Sequence, residues 1–209
     1  MSDLSLQRVG PTYGGSGTAS PFRGDITGAQ CITNAHGQLC EASRGQNLFM
    51  ATAIVTAPVV FTTAAGTGGP LIWNGSTNKL VSVLKVGYGV TTVSTVAAAL
   101  GLTGNTGQTS APTSTTAIDS RANLYLGGPA SAATPYRVGT PTNAGGFFIP
   151  FGALHTGALT VDNTGMYWVD IAGAITAPPN SWVSVAASAT ATTTVVQVTM
   201  IWEELPFLT

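Results

Sequence analysis

From Asn47 onward, apolar and polar residues alternate in short runs rich in Val, Ile, Thr and aromatic residues. Turn clusters recur roughly every ten residues, the spacing of an all-β domain. The predicted strands are LFMATAIVTA (48–57), VVFTT (59–63), LIWN (71–74), KLVSVLKVGYGVTTV (79–93), IDSRANLYLG (118–127), GFFIPF (146–151), ALTVD (158–162), MYWVDIAGAI (166–175), SWVSVAAS (181–188) and TTVVQVTMIWEEL (193–205). The last is the clearest. Val196, Val198, Met200 and Trp202 share one face, and Gln197, Thr199 and Glu203 share the other, so a half-buried strand is expected. DNTG (162–165) and APPN (177–180) supply turn chemistry. Helix is scarce. VSTVAAALGL (93–102) is the best helical segment, with Ser94 as cap and Gly101 as stop.

Residues 1–45 read differently. Gly10, Pro11, Gly14, Gly15, Gly17, Pro21, Gly24 and Gly28 interrupt any periodicity. Such a segment has no apolar face to bury, and is expected to be an extended arm ordered by whatever surface it lies on. Residues 46–209 then form the β-domain. Strands joined by long Gly/Thr/Ser connections predict an all-β antiparallel sandwich, with the jelly roll as the leading topology.

Composition narrows the role. Only 7% of the 209 residues are charged, against about 25% in ordinary soluble domains. Seven Lys+Arg face eight Asp+Glu, too few cations for the surface that nucleic-acid binding requires. The arm is equally neutral, with Arg8, Arg23 and Arg44 against Asp3, Asp25 and Glu41, unlike a basic genome-packaging arm. Long uncharged stretches, from Arg44 to Lys79 and from Lys85 to Asp119, are broken by Gly, Pro and Thr. Neither reads as a membrane span, and MSDLSLQRVGPTYGG lacks the features of a secretory signal.

Candidate chemistry is sparse. Cys31, His36 and Cys40 in CITNAHGQLC offer three zinc ligands where a structural site takes four. A Cys31–Cys40 disulfide would need an oxidising exterior; two reduced, packed thiols are the simpler expectation. No G-x-S-x-G occurs, and His155 in FGALHTGALT reads as a loop residue. Asp162 and Asp170 flank a predicted hairpin and could pair as in a glycosidase, but Asp162 suits the turn and Asp170 suits solvent. GLTGNTGQTS (101–110) misses the phosphate-loop pattern, with Leu102 at the first Gly position and Gln108 at the Lys position; it reads as a flexible connection. Gly87 and Gly89 around Tyr88 mark a bulge or a close backbone approach. Asn74-Gly75-Ser76 matches a glycosylation acceptor by chance. No catalysis, metal or cofactor is expected.

Aromatic residues concentrate on predicted strands: Trp73, Tyr167, Trp168, Trp182 and Trp202. They are expected to fill the core or a subunit interface, with an exposed sugar platform as the alternative. So few charges leave a free surface of Thr, Ser, Gly, Asn and Ala, with sheet edges open to pairing. A surface like that is sustained when an assembly covers it.

The segments IWNGSTNKLVSVLKVGYG and PPNSWVSVAASATATTTVVQVTMIWEEL resemble structural proteins of tailed bacteriophages, of the jelly-roll head-decoration or tail-associated type with an extended N-terminal arm. The likeness spans roughly residues 45–205 in strand pattern and in the Pro-Pro hairpin before two final strands. It implies a homo-oligomer, often a trimer, on the virion exterior, assembled in the host cytoplasm. Its partners would be its own copies and other virion proteins such as the major capsid protein, with no nucleic acid or membrane. No catalytic residue carries over. The competing expectations are a single jelly-roll major coat protein and a carbohydrate- or receptor-binding module of a fibre.

Overall fold

The strand with the strongest alternation sits at the middle of a sheet. The computed structural model describes residues 39–56, 58, 60–61, 70–94, 96–108, 110–118, 121–154, 156, 165–190 and 194–207. The chain divides into two units, Met1–Glu41 and Ala42–Thr209. Most of the arm, with Cys31, His36 and the Cys31–Cys40 pairing, lies outside the described residues, as do His155, Asp162 and the strand expected at 158–162.

Among the described residues, a short helix α1 (Cys40–Arg44) precedes eleven strands: β1 (Leu48–Thr56), β2 (Leu71–Asn74), β3 (Lys79–Thr92), β4 (Ala98–Asn105), β5 (Thr113–Ala117), β6 (Arg121–Asn123), β7 (Thr134–Thr140), β8 (Phe147–Leu154), β9 (Tyr167–Ala177), β10 (Ser181–Ala187) and β11 (Val195–Pro206). One sheet has the order β6-β1-β11-β3-β9, the other β5-β7-β2-β10-β4-β8. All pairings within them are antiparallel. The all-β, two-sheet expectation is met. The pairings are nested: β1 with β11, β2 with β10, β3 with β9 and β4 with β8. The segment β5–β7 falls between β4 and β8, and its strands extend the far edges of both sheets.

One apolar cluster draws on both sheets. Val196, Val198, Met200 and Trp202 of β11 meet Val83 and Val86 of β3, Leu100 and Leu102 of β4, and Val183 and Val185 of β10. Trp202 is fully buried, as the alternation in β11 requires. The outer face is less open than expected. Thr199 is buried where its Oγ1 meets that of Thr52 at 2.8 Å, and Glu203 is half-buried.

Several expectations are corrected. The segment 93–102 is not a helix: Ala98–Asn105 forms β4, between β10 and β8. Alanine favours helix locally, but Ala98, Leu100 and Leu102 all face the core at period two, and tertiary pairing overrides propensity. Ser94 caps no helix; its hydroxyl accepts from Val96 N–H at 3.1 Å and donates to Val96 O at 2.6 Å. The first residues of the supposed flexible connection, Gly101–Asn105, are therefore strand. In place of extended chain, Cys40–Arg44 makes one helical turn, closed by Asn47 N–H to Ala42 O at 3.1 Å. The strand expected over 118–127 shrinks to Arg121–Asn123. The Pro178-Pro179 link is no hairpin, because β9 and β10 belong to different sheets.

Candidate interaction surface

Strands β8 and β9 are edge strands of their respective sheets, and they meet on one side of the fold, where Tyr88 touches Phe151 and Tyr167. β8 reads FFIPFGAL and carries no charge, and Asp170 is the one charged residue of β9. Edge strands in isolated proteins are usually blunted by charges, proline or bulges. Pro150 supplies one such device. A bulge supplies the other: Asp170 pairs with Lys85 and Ile175 with Val83, so the run Ile171–Ala174 stands opposite Leu84 alone. Ala172 and Gly173 turn at φ 51° and 77°, and Asp170 Oδ1 accepts the Ala172 N–H at 3.0 Å.

Tyr88 ties the two edges together. Its ring lies 5.3 Å from Phe151 of β8 and 5.4 Å from Tyr167 of β9, centroid to centroid. Gly152 is required beneath it, because a Cβ there would stand 2.5 Å from the phenol ring. Burial pushes the Tyr88 phenol above its ordinary pKa, and the Tyr167 phenol adds to the shift. On the opposite face of the same strand, Trp168 covers Gly87 and Met166 covers Gly89, at 3.1 and 3.3 Å from where a Cβ would stand. The glycines flanking Tyr88 thus mark the close approach expected of them.

Met166, Tyr167 and Trp168 nevertheless remain exposed, Trp168 by 53%, as do Phe147 and Ile149 of β8. The aromatic residues named from sequence divide: Trp182 and Trp202 are core, while Tyr167 and Trp168 are surface. Lys85 Nζ lies 3.9 Å from Asp170 Oδ2, an exposed pair of small energetic worth.

Where β8 begins and β9 ends, a groove of about 180 Å³ opens, lined by Gly104, Asn105, Phe147, Ile175, Ala177 and Trp182 among others. Its amides are already committed. Asn105 Nδ2 donates to Ala144 O at 2.6 Å and Asn105 Oδ1 accepts from Thr106 N–H at 2.7 Å. Asn143 Oδ1 accepts from Trp182 Nε1 at 2.8 Å, and Asn143 Nδ2 donates to Thr106 O at 2.6 Å. The polar groups brace the rim, and the apolar surfaces are what the groove offers.

Asn74 is buried and donates both Nδ2 hydrogens, to Lys79 O and Ala177 O at 2.8 Å each. It holds β2 against neighbouring chain and presents no free amide for a glycan. The alternation of β11 carries Glu204 onto the inward face, where it is 3% exposed. Its carboxylate accepts from the Ser131 hydroxyl, from Ala132 N–H at 3.1 Å and from Ala133 N–H at 3.0 Å. A buried carboxylate at the end of a strand is a pattern break that sequence could have flagged.

Among the described residues, no three His, Cys, Asp or Glu side chains gather as a metal site would require, and no helix is long and apolar enough to cross a membrane. No protein-family model, curated protein or solved structure matches the chain.

Proposed function

We propose that this chain is a structural component of a bacteriophage virion, one that decorates or cements the capsid or joins head and tail parts. In this reading it acts as a homo-oligomer, a trimer, in contact with other virion proteins such as the major capsid protein. The observation that carries the reading is the nested pairing of β1 with β11, β2 with β10, β3 with β9 and β4 with β8. Such nesting is what results when one long hairpin rolls into two interleaved Greek keys, and it supports the jelly-roll class, which recurs in capsid proteins. The segment β5–β7 is then an insertion at the hairpin tip. The uncharged β8 edge, with Phe147 and Ile149 exposed, supports an assembled state, because such an edge is a hazard unless something covers it.

The mechanism is interface burial. The β-domain forms the symmetric oligomer, and the arm (1–45) lies across neighbouring subunits. Quantitative mass spectrometry of density-purified particles tests the reading. A fixed copy number, below that of the major capsid protein, is expected; absence from particles would overturn it, and the highest copy number of all would make the chain the single jelly-roll coat itself. A second reading, a carbohydrate-binding module of a fibre, draws on the exposed Tyr167 and Trp168. Quenching of tryptophan fluorescence by a glycan, abolished in Trp168→Ala, would favour that reading.

A further inference from the structure

The most exposed large apolar side chain among the described residues is on the other side of the fold. Leu126 is 91% exposed, with Tyr125 beside it also exposed, in the turn that follows β6. This turn is built rather than loose. Asn123 Oδ1 accepts from Tyr125 N–H at 2.9 Å, and Asn123 Nδ2 donates to Gln46 O at 2.9 Å and Pro129 O at 3.0 Å. Gly128 N–H closes the turn on Tyr125 O at 2.9 Å, and Leu124 N–H anchors it to Leu48 O at 2.9 Å. Gly127 turns at φ 85°, and a Cβ on Gly128 would stand 2.6 Å from Asn123 Nδ2. A turn whose backbone is already fixed has little backbone entropy left to lose on docking.

β6 and β9 are opposite edges of one sheet, with β1, β11 and β3 between them, a width of roughly 19 Å at about 4.8 Å per strand. A two-fold contact pairs knob with groove only where both lie in one self-complementary patch, and here they lie on opposite edges. A head-to-tail step brings the knob of one copy to the groove edge of the next, and such steps form a ring where the rotation closes and an open filament where it does not. The two surfaces also match in charge. No charged residue occurs between Arg121 and Arg137, and β8 has none, so the contact would strand no ion. The groove of about 180 Å³ has room for a leucine side chain, given that a cavity of about 150 Å³ accepts a benzene ring.

We infer that copies of this chain associate head to tail, with the Tyr125-Leu126 turn of one copy seated in the groove between Phe147 and Ile175–Ala177 of the next. The inference rests on the homo-oligomer part of the proposed function and is independent of where in a virion the oligomer sits.

The test uses the full chain carrying a photo-reactive benzophenone side chain at position 126. Sedimentation measures stoichiometry, and mass spectrometry maps the inter-copy cross-links. The expected products join position 126 to peptides covering 104–106, 146–147 or 175–183. Leu126→Ser removes an exposed side chain, and Thr176→Arg places bulk in the groove from an exposed position. Each should weaken association by about tenfold or more without changing the circular-dichroism spectrum. Cross-links confined to residues 121–130 of another copy, or unchanged association in Leu126→Ser, would overturn the inference and leave the homo-oligomer reading standing. A chain that sediments as a monomer at every concentration would overturn that reading and the inference with it.

Discussion

Phe49 and Trp202 stand directly opposite each other in the β1–β11 ladder, and their rings stack 6.0 Å apart at an interplanar angle of 25°. Two large aromatic side chains thus fasten the first strand to the last, at the point where the nested pairing closes.

Trp202→Ala should therefore lower the unfolding free energy by about 3–5 kcal/mol, a large part of the 5–15 kcal/mol typical of a domain. Trp202→Phe should cost clearly less, since it keeps a ring against Phe49 and removes an Nε1–H that is buried without a hydrogen-bond partner. Chemical denaturation of the two variants measures the difference. Equal losses would mean that the ring contact contributes little.

Glu204→Ala should cost about 3 kcal/mol, because it strands the Ser131 hydroxyl and the Ala132 and Ala133 amides, which all bond its carboxylate. The effect should be local as well as global. Hydrogen exchange at Ala132 and Ala133 should accelerate more than exchange in β10, and uniform acceleration would contradict the latch.

Glu203 behaves in the opposite sense. Burial raises its carboxyl pKa above 4.5, so the folded state binds more protons than the unfolded state between 4.5 and that raised value. Stability from this group accordingly falls as pH rises through the window. Glu203→Gln should match or exceed the parent in stability at neutral pH, with any advantage vanishing below pH 4.5. A variant less stable at neutral pH would show that the charged carboxylate is held favourably.

Gly152→Ala should disturb the aromatic bridge between the edges. Its methyl would meet the Tyr88 ring, and overpacking of this kind costs about 1–3 kcal/mol. The near-ultraviolet circular dichroism of Tyr88, Phe151 and Tyr167 should change while the far-ultraviolet signal holds.

How legible the fold was depended on how much each strand buries. β11 and β2 were readable because strong β-formers sit at clean alternation or in a short apolar run, and both lie inside a sheet. β5 (TSTTA) and β7 (TPYRVGT) were not, since Thr, Ser, Pro and Gly there resemble connecting chain. The sequence of β4 favours a helix because the alanines preceding Leu100 hide the inward alternation of Ala98, Leu100 and Leu102. The interaction surface was half legible. Aromatic residues late in the chain were visible, but which of them face outward depends on Gly87 and Gly89 lying beneath Trp168 and Met166, a cross-strand register that composition does not encode. The pattern over 118–127 places Leu126 in a strand, and only the turn geometry around Asn123 exposes it.

An image of the particle tests the central claim most directly. A single-particle reconstruction of virions assembled in cells that express this chain should show two-sheet β-domains in symmetric rings on the exterior or at the head–tail junction, with the β6 edge of each copy against the β8–β9 edge of the next. A reconstruction at comparable resolution in which every protein density is assigned and none accommodates this chain would contradict it.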